Sequence, residues 1–121
     1  MTGELEEIKK TFIKNTIEEL LALKKKLVRV KSATPEDVDQ KELVQEVFLL
    51  MHGITGTAPM VGIDNIASVS GKVEMAFDKI RRGEKTYTGQ LIVQALRGFD
   101  SILDELHAQL KDGLSDRSAN S

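Results

Sequence analysis

The chain has 121 residues, of which 40% are hydrophobic and 30% are charged, and its formal net charge is −2. A chain of this length forms one domain around one hydrophobic core. Without an excess of positive charge, it has no general basic field that could hold a nucleic acid. The absence of cysteine excludes a disulfide scaffold and a thiolate metal site. Four Phe, one Tyr and no Trp favour a helical bundle cored by Leu, Ile and Val.

No targeting signal is visible in the sequence. Residues 1–7 lack the apolar core of a signal peptide, and no segment approaches the roughly 18 consecutive apolar residues that a membrane span needs. Thr2 occupies the place that myristoylation reserves for glycine. We therefore expect a cytoplasmic protein without membrane attachment.

Apolar residues at three- and four-residue spacing predict four helices, of which the first covers about residues 4–30. It ends before Pro35, because proline disfavours helical geometry in the preceding residue. Thr34 and Pro35 then predict the N-cap and the first position of the second helix, which Gly62 ends. The residues expected to face inward from these two helices are Leu5, Ile8, Phe12, Ile17, Leu20, Leu23 or Lys24, Leu27, Val30, Leu43, Val47, Leu50, Met51, Ile54, Ala58 and Val61.

The third helix is predicted from about Asp64, and Gly83 follows it as a left-handed cap. The fourth is predicted from about Thr88 to Asp112-Gly113. Their expected inward residues are Ile66, Val69, Val73, Ala76, Phe77, Ile80, Leu91, Ala95, Phe99, Ile102, Leu106 and Leu110. Short loops between amphipathic helices predict an all-α fold, an antiparallel four-helix bundle over residues 1–113. Residues 114–121 are predicted to be a short polar tail that frays.

His52 lies within the second predicted helix, and Gly53, Gly56 and Gly62 follow it at positions +1, +4 and +10. Glycine inside a helix costs about 1 kcal/mol relative to alanine. Gly56 falls one turn from His52 on the same face, so its simplest use is to remove a side chain that would crowd the imidazole. The pattern indicates a histidine that a large partner approaches. The competing interpretation is a half-buried histidine packed beside a helix interface.

This segment resembles the histidine-containing phosphotransfer (HPt) domains of bacterial and plant phosphorelays. That family has an apolar residue at +2 from its histidine, glycine at +4, a small residue at +6 and glycine at +10. Here those positions follow His52 as Ile54, Gly56, Ala58 and Gly62. Residues 73–84 resemble the chemotaxis-kinase type of this domain, and the likeness extends over nearly the whole chain. The resemblance implies the HPt four-helix bundle and a phosphoprotein that carries a phosphoryl group without kinase activity of its own.

The resemblance also implies roles for single residues. His52 would accept the phosphoryl group at Nε2, Glu74 would bond the other ring nitrogen and orient the ring, and Gly56 would give the partner clearance. Glu74 could instead be one more solvated acid on a charge-rich helix. Thr55 stands where the family usually has Lys or Arg, and Gly71 where it often has a second histidine. The missing cation removes a charge-assisted contact to the phosphoryl oxygens. Because His52 and Glu74 remain, we expect transfer to survive with an altered rate or phosphohistidine lifetime.

The implied partners are the receiver domain of a response regulator, a histidine kinase, or both. Phe48 and Leu49 would form the apolar part of the docking surface, unless they are ordinary core residues of a wide stripe. The whole expected partner-binding set is Phe48, Leu49, His52, Thr55, Gly56 and Pro59. No cofactor is expected on this chain, and Mg²⁺ is expected on the receiver. Neither nucleic acid nor a membrane is an expected partner, and we expect a monomer.

The sequence also allows a metal site, a binding adaptor and a hydrolase to be considered. His107 lies far from His52 with no supporting ligand pair, which argues against a metal site and leaves it a solvated residue. A binding adaptor that docks a receiver or kinase without carrying phosphate is the alternative function, favoured by Thr55 and Gly71. A helical-bundle hydrolase ranks last, because no acid–base or metal constellation supports it.

Overall fold

The computed structural model describes residues 2–29 and 38–120, and the side chains of residues 3–29 and 40–112. Its four helices are α1 (Thr2–Arg29), α2 (Val38–Thr57), α3 (Asn65–Arg81) and α4 (Gly89–Asn120). A short 3₁₀ turn, Pro59–Val61, follows α2, and no strand occurs within the described ranges. The predicted all-α four-helix bundle is therefore confirmed. None of these helices has the length and apolar character needed to cross a bilayer.

One hydrophobic core lies between the four helices. α2 packs most extensively against α3, while α4 lies against α3 and α1, and α1 also contacts α2. Burying a large apolar side chain stabilises the fold by about 1.5–3 kcal/mol. The fully buried apolar residues include Leu20, Leu27, Val47, Met51, Ile54, Phe77, Ile92, Phe99, Ile102 and Leu106. This core fixes the relative position of α2 and α3, which carry the candidate site.

The crossing of α3 and α4 depends on a buried glycine. A Cβ atom at Gly98 would lie 2.9 Å from Cγ2 of Val73 and 3.4 Å from Cγ1 of Val69. The first distance is shorter than van der Waals contact between carbon atoms allows. The absence of a side chain at Gly98 therefore lets α4 approach α3 closely.

Several predicted boundaries differ from the structure. α2 ends at Thr57 rather than at Gly62, because Pro59 lacks an N–H and its ring would clash with a carbonyl of the preceding turn. Gly62 instead ends the 3₁₀ turn with a φ of 84°. α4 continues past Gly113 to Asn120, since one glycine costs a helix only about 1 kcal/mol. The predicted N-cap at Thr34 lies outside the described residues.

The predicted inward stripes of α2, α3 and α4 are buried or half-buried, and Gly83 has the expected positive φ, 76°. The first turns of α1 differ. Leu5 and Ile8 were expected to face inward, but they are 52% and 58% exposed. That expectation was wrong, because no described part of the bundle covers the amino-terminal turns of α1. Val30, also expected inward, lies outside the described residues.

Candidate functional site

His52 projects from the solvent side of α2, beside the fully buried Met51. Its side chain is 67% exposed. Nδ1 of the imidazole lies 2.7 Å from Oε2 of Glu74 on α3. An ionised carboxylate can only accept a hydrogen bond, so Nδ1 carries the proton and donates it. In the neutral ring, Nε2 then carries the lone pair, and the exposed imidazole is held in one tautomer.

The packing of α3 explains why Glu74 reaches the ring. Val73 and Phe77, on either side of it in sequence, are buried in the core and hold this part of α3 against α2. The Glu74 side chain is only 20% exposed, so it lies partly sheltered beside the imidazole. A hydrogen bond to a charged acceptor in such a place is stronger than one to a neutral acceptor. The carboxylate can therefore orient the ring.

Phe48 and Arg81 extend the site along the two helices. The Phe48 ring, one turn before His52, stacks on the imidazole with centroids 5.8 Å apart and planes inclined by 18°. The guanidinium carbon of Arg81, at the end of α3, lies 4.2 Å from the Phe48 centroid. Sequence reasoning missed Arg81. Its spacing of seven residues from Glu74, two helical turns on one face, is the signal that could have found it.

Thr55 points into the α2–α3 interface. Its hydroxyl donates to the Met51 carbonyl at 2.8 Å and lies 2.8 Å from the hydroxyl of Ser70 on α3. Ser70 is fully buried and also bonds the Ala67 carbonyl at 3.2 Å. The Thr55 hydroxyl is thus engaged within the protein. At this position the side chain joins two helices.

The remaining predicted partner-binding residues surround His52 with open surface. Gly56 is exposed, and a Cβ atom there would meet nothing within 4 Å. Packing within the chain therefore does not require glycine at this position. Leu49 is 53% exposed and lines an open groove between α1 and α2, and Pro59 is exposed just beyond α2. Phe48 is only half-buried, so the apolar stripe reaches the surface beside the histidine.

The second histidine is not part of this site. His107 lies exposed on α4. Across residues 3–29 and 40–112, no group of three or more His, Asp or Glu side chains is placed to hold a metal ion. The polar chemistry of the site is therefore that of one imidazole, one carboxylate and a nearby guanidinium.

A family model described as the Hpt domain matches residues 7–116. The chain belongs to the Hpt domain family. It is also similar to the solved structure of the CheA phosphotransferase domain from Thermotoga maritima, with a TM-score of 0.74 and 25% sequence identity. That match covers 86% of this chain and 95% of the other. Family and structure together support a histidine phosphotransfer role in two-component signalling, in which Hpt domains interact with receiver domains and histidine kinases.

Proposed function

We propose that this protein carries a phosphoryl group on His52 in a two-component phosphorelay. The observation that supports this assignment is the exposed imidazole whose Nδ1 donates to Glu74. That hydrogen bond holds the ring in the tautomer in which Nε2 can attack. The other histidine, His107, has no comparable partner among its described contacts and lies on a different helix.

The transfer step follows from this geometry. Nε2 attacks the phosphorus of an aspartyl phosphate on a receiver domain, a new N–P bond forms, and the P–O bond to the aspartate breaks. The aspartate leaves as a carboxylate with the electron pair of that bond. The imidazole gains positive charge as the N–P bond forms, and the Glu74 carboxylate stabilises that charge through the Nδ1 proton. The reverse step delivers the group to a second receiver, and a histidine kinase could supply it in place of the first.

The charge on the transferred phosphoryl oxygens would be stabilised by the partner protein. Phosphoryl transfer depends mainly on positioning and on stabilising the charge of the transferred oxygens. We expect Mg²⁺ and its acidic ligands to reside on the receiver, while this chain supplies the nucleophile and its orienting carboxylate. The protein would then act as a carrier, with no kinase activity of its own.

The surface around His52 fits such a docked partner. Exposed Leu49 and half-buried Phe48 provide apolar contact beside the histidine, and Gly56 leaves open space above it. Apolar contacts surrounded by polar residues are the usual arrangement of a protein interface. We infer that a receiver domain covers this end of α2, with Pro59 at its margin.

Label transfer tests the proposal. The protein would be incubated with a panel of receiver domains phosphorylated with ³²P, and the label on it tested for the acid lability of a phosphoramidate. We expect label on the wild type and on His107→Gln, the matched control, and none on His52→Gln. Equal labelling of the wild type and His52→Gln would refute the assignment.

A binding adaptor on the same bundle is the second candidate. It is favoured by Thr55, whose hydroxyl is engaged with Met51 and Ser70 at the position where the family usually offers a cation. An adaptor would bind a receiver or kinase with the same affinity before and after His52→Ala, and the wild type would take no label. Titration calorimetry of both proteins, beside the labelling experiment, distinguishes the two functions.

A further inference from the structure

Arg81 occupies an unusual place beside the proposed phosphoacceptor. Its guanidinium carbon lies 4.2 Å from the centroid of Phe48, and that centroid lies 5.8 Å from the centroid of His52. The guanidinium is therefore no more than about 10 Å from the imidazole, a distance comparable to the screening length of physiological salt. A positive charge so placed acts on any negative group that approaches His52.

Two contacts hold Arg81 in this position. The face of Phe48 attracts the guanidinium through the quadrupole of the ring. Asp78, one turn earlier on α3, accepts hydrogen bonds from Nη2 at 2.6 Å and from Nε at 3.2 Å. The side chain nevertheless remains 38% exposed. Two contacts thus hold the side chain over Phe48, and it is still open to a partner.

The charge of Arg81 is only partly neutralised by Asp78. Arg82 shares the same carboxylate, with Nη2 3.2 Å from Oδ2, and also lies 3.6 Å from Glu84. One carboxylate therefore faces two guanidinium groups, and only one of them, Arg81, is shown stacked on Phe48 beside the histidine. The two arginines can be compared, since they share Asp78, while Arg81 has the ring contact and Arg82 has the ion pair with Glu84.

We propose that Arg81 is a positioning residue for phosphoryl transfer, which engages the acidic side chains around the phosphorylated aspartate of a receiver domain and aligns that site over His52. This inference rests on the proposed function. A planar guanidinium with several donors suits carboxylate and phosphoryl oxygens. Thr55, in the turn after His52, cannot supply a charge there, so α3 supplies the cation in place of α2. Arg81 promotes the encounter with the receiver and aligns it, and His52 makes the nucleophilic attack.

Two substitutions at Arg81 separate charge from packing. Arg81→Met keeps an apolar stem against Phe48 and removes the charge, whereas Arg81→Lys keeps a cation over the ring. The second-order rate constant of phosphoryl transfer from a ³²P-labelled receiver would be measured for both, for Arg82→Met and for the wild type. Each would be measured at about 50 mM and about 300 mM NaCl, which changes the screening of exposed charges. Thermal unfolding would verify that all four proteins are folded.

We expect Arg81→Met to lower the rate constant by about three- to tenfold at low salt, with a smaller difference at high salt, because removing an interfacial charge mainly slows association. Arg81→Lys should stay close to the wild type, and Arg82→Met should change the rate constant less than about twofold. Equal rates for Arg81→Met and Arg82→Met, or a loss independent of salt, would overturn the proposal. Either result would leave the labelling of His52 intact, whereas failure of the proposed function would appear as an unlabelled wild type.

Discussion

Nδ1 of His52 and Oε2 of Glu74 are joined by a 2.7 Å hydrogen bond between α2 and α3, and the two side chains differ sharply in exposure, 67% against 20%. The carboxylate is thus held in partial shelter while the imidazole stands in solvent. Such an arrangement can hold the ring in one orientation while most of the imidazole stays exposed. Substitution of Glu74 can therefore test whether the carboxylate orients the ring.

Replacing Glu74 should slow phosphoryl transfer. Glu74→Ala removes the acceptor of the Nδ1 proton, and we expect a loss of about 10- to 100-fold, the size found when a carboxylate that orients a metal-binding histidine is removed. Glu74→Gln should lose less, because its amide oxygen can still accept from Nδ1 but carries no charge. Single-turnover transfer kinetics would measure the rates, and ¹⁵N NMR of the imidazole would report the tautomer. Wild-type rates in both variants would show that Glu74 has no part in transfer.

Substituting Gly56 should separate stability from transfer. A Cβ atom there meets nothing within 4 Å, and the residue lies in α2 without a positive φ. Gly56→Ala should therefore stabilise the fold by about 0.4–1 kcal/mol, because alanine reduces the freedom of the unfolded chain. Gly56→Leu should remain folded but transfer more slowly, since the larger side chain would meet the docked partner. Urea unfolding and transfer kinetics would be compared on the same samples. Unchanged transfer in Gly56→Leu would refute the clearance role.

Thr55→Val should affect stability and leave transfer nearly unchanged. The hydroxyl bonds Met51 and Ser70 within the protein, and its loss should cost about 1 kcal/mol, a typical net value for one hydrogen bond. Chemical denaturation would measure this cost, with Ser70→Ala as the matched change across the same contact. A large loss of transfer in Thr55→Val at unchanged stability would show instead that the hydroxyl contacts the phosphoryl group.

Tyr87 should make the fold sensitive to alkaline pH. The residue is buried, and its hydroxyl forms no hydrogen bond within the described part of the chain. Burial raises the pKa of Tyr87 above its ordinary value of 10.0. Its contribution to stability is thus fully present below the pKa of the unfolded chain and is lost as the pH rises through the higher pKa of the folded state.

The variant Tyr87→Phe tests whether the Tyr87 hydroxyl causes the alkaline loss of stability. It removes a buried hydroxyl without a partner there, so the free energy of unfolding at neutral pH should stay equal or rise by up to about 1 kcal/mol. The alkaline loss of stability should also be smaller than in the wild type. Denaturation curves at about pH 7 and about pH 11 would measure both effects. A marked destabilisation at neutral pH would mean that the hydroxyl has a bonding partner.

Local signals in the sequence determined much of this protein. Apolar spacing predicted four helices and most of their buried faces, because helical periodicity needs only neighbouring residues. Gly83 after Arg82 predicted a left-handed cap, since glycine adopts a positive φ without steric cost. The spacing of His52, Gly56 and Gly62 pointed to the family before any contact was known. Gly62 and Pro59 are competing signals for the end of α2. The helix was predicted to end at Gly62, but it ends at Thr57, before the proline.

Only the tertiary structure decided which side chains meet across the helices. The Glu74 hydrogen bond to His52, the pairing of Thr55 with Ser70 and the stacking of Arg81 on Phe48 all join α2 to α3. Each depends on the rotation and register of one helix against the other, which the burial of residues far apart in sequence sets. A periodic pattern shows which face of a helix is buried, but it does not show which residue of another helix will lie opposite. For this reason periodicity placed His52 on its helix and the resemblance implied Glu74 as its partner, whereas the contacts of Arg81 with Phe48 and of Thr55 with Ser70 became visible only in the fold.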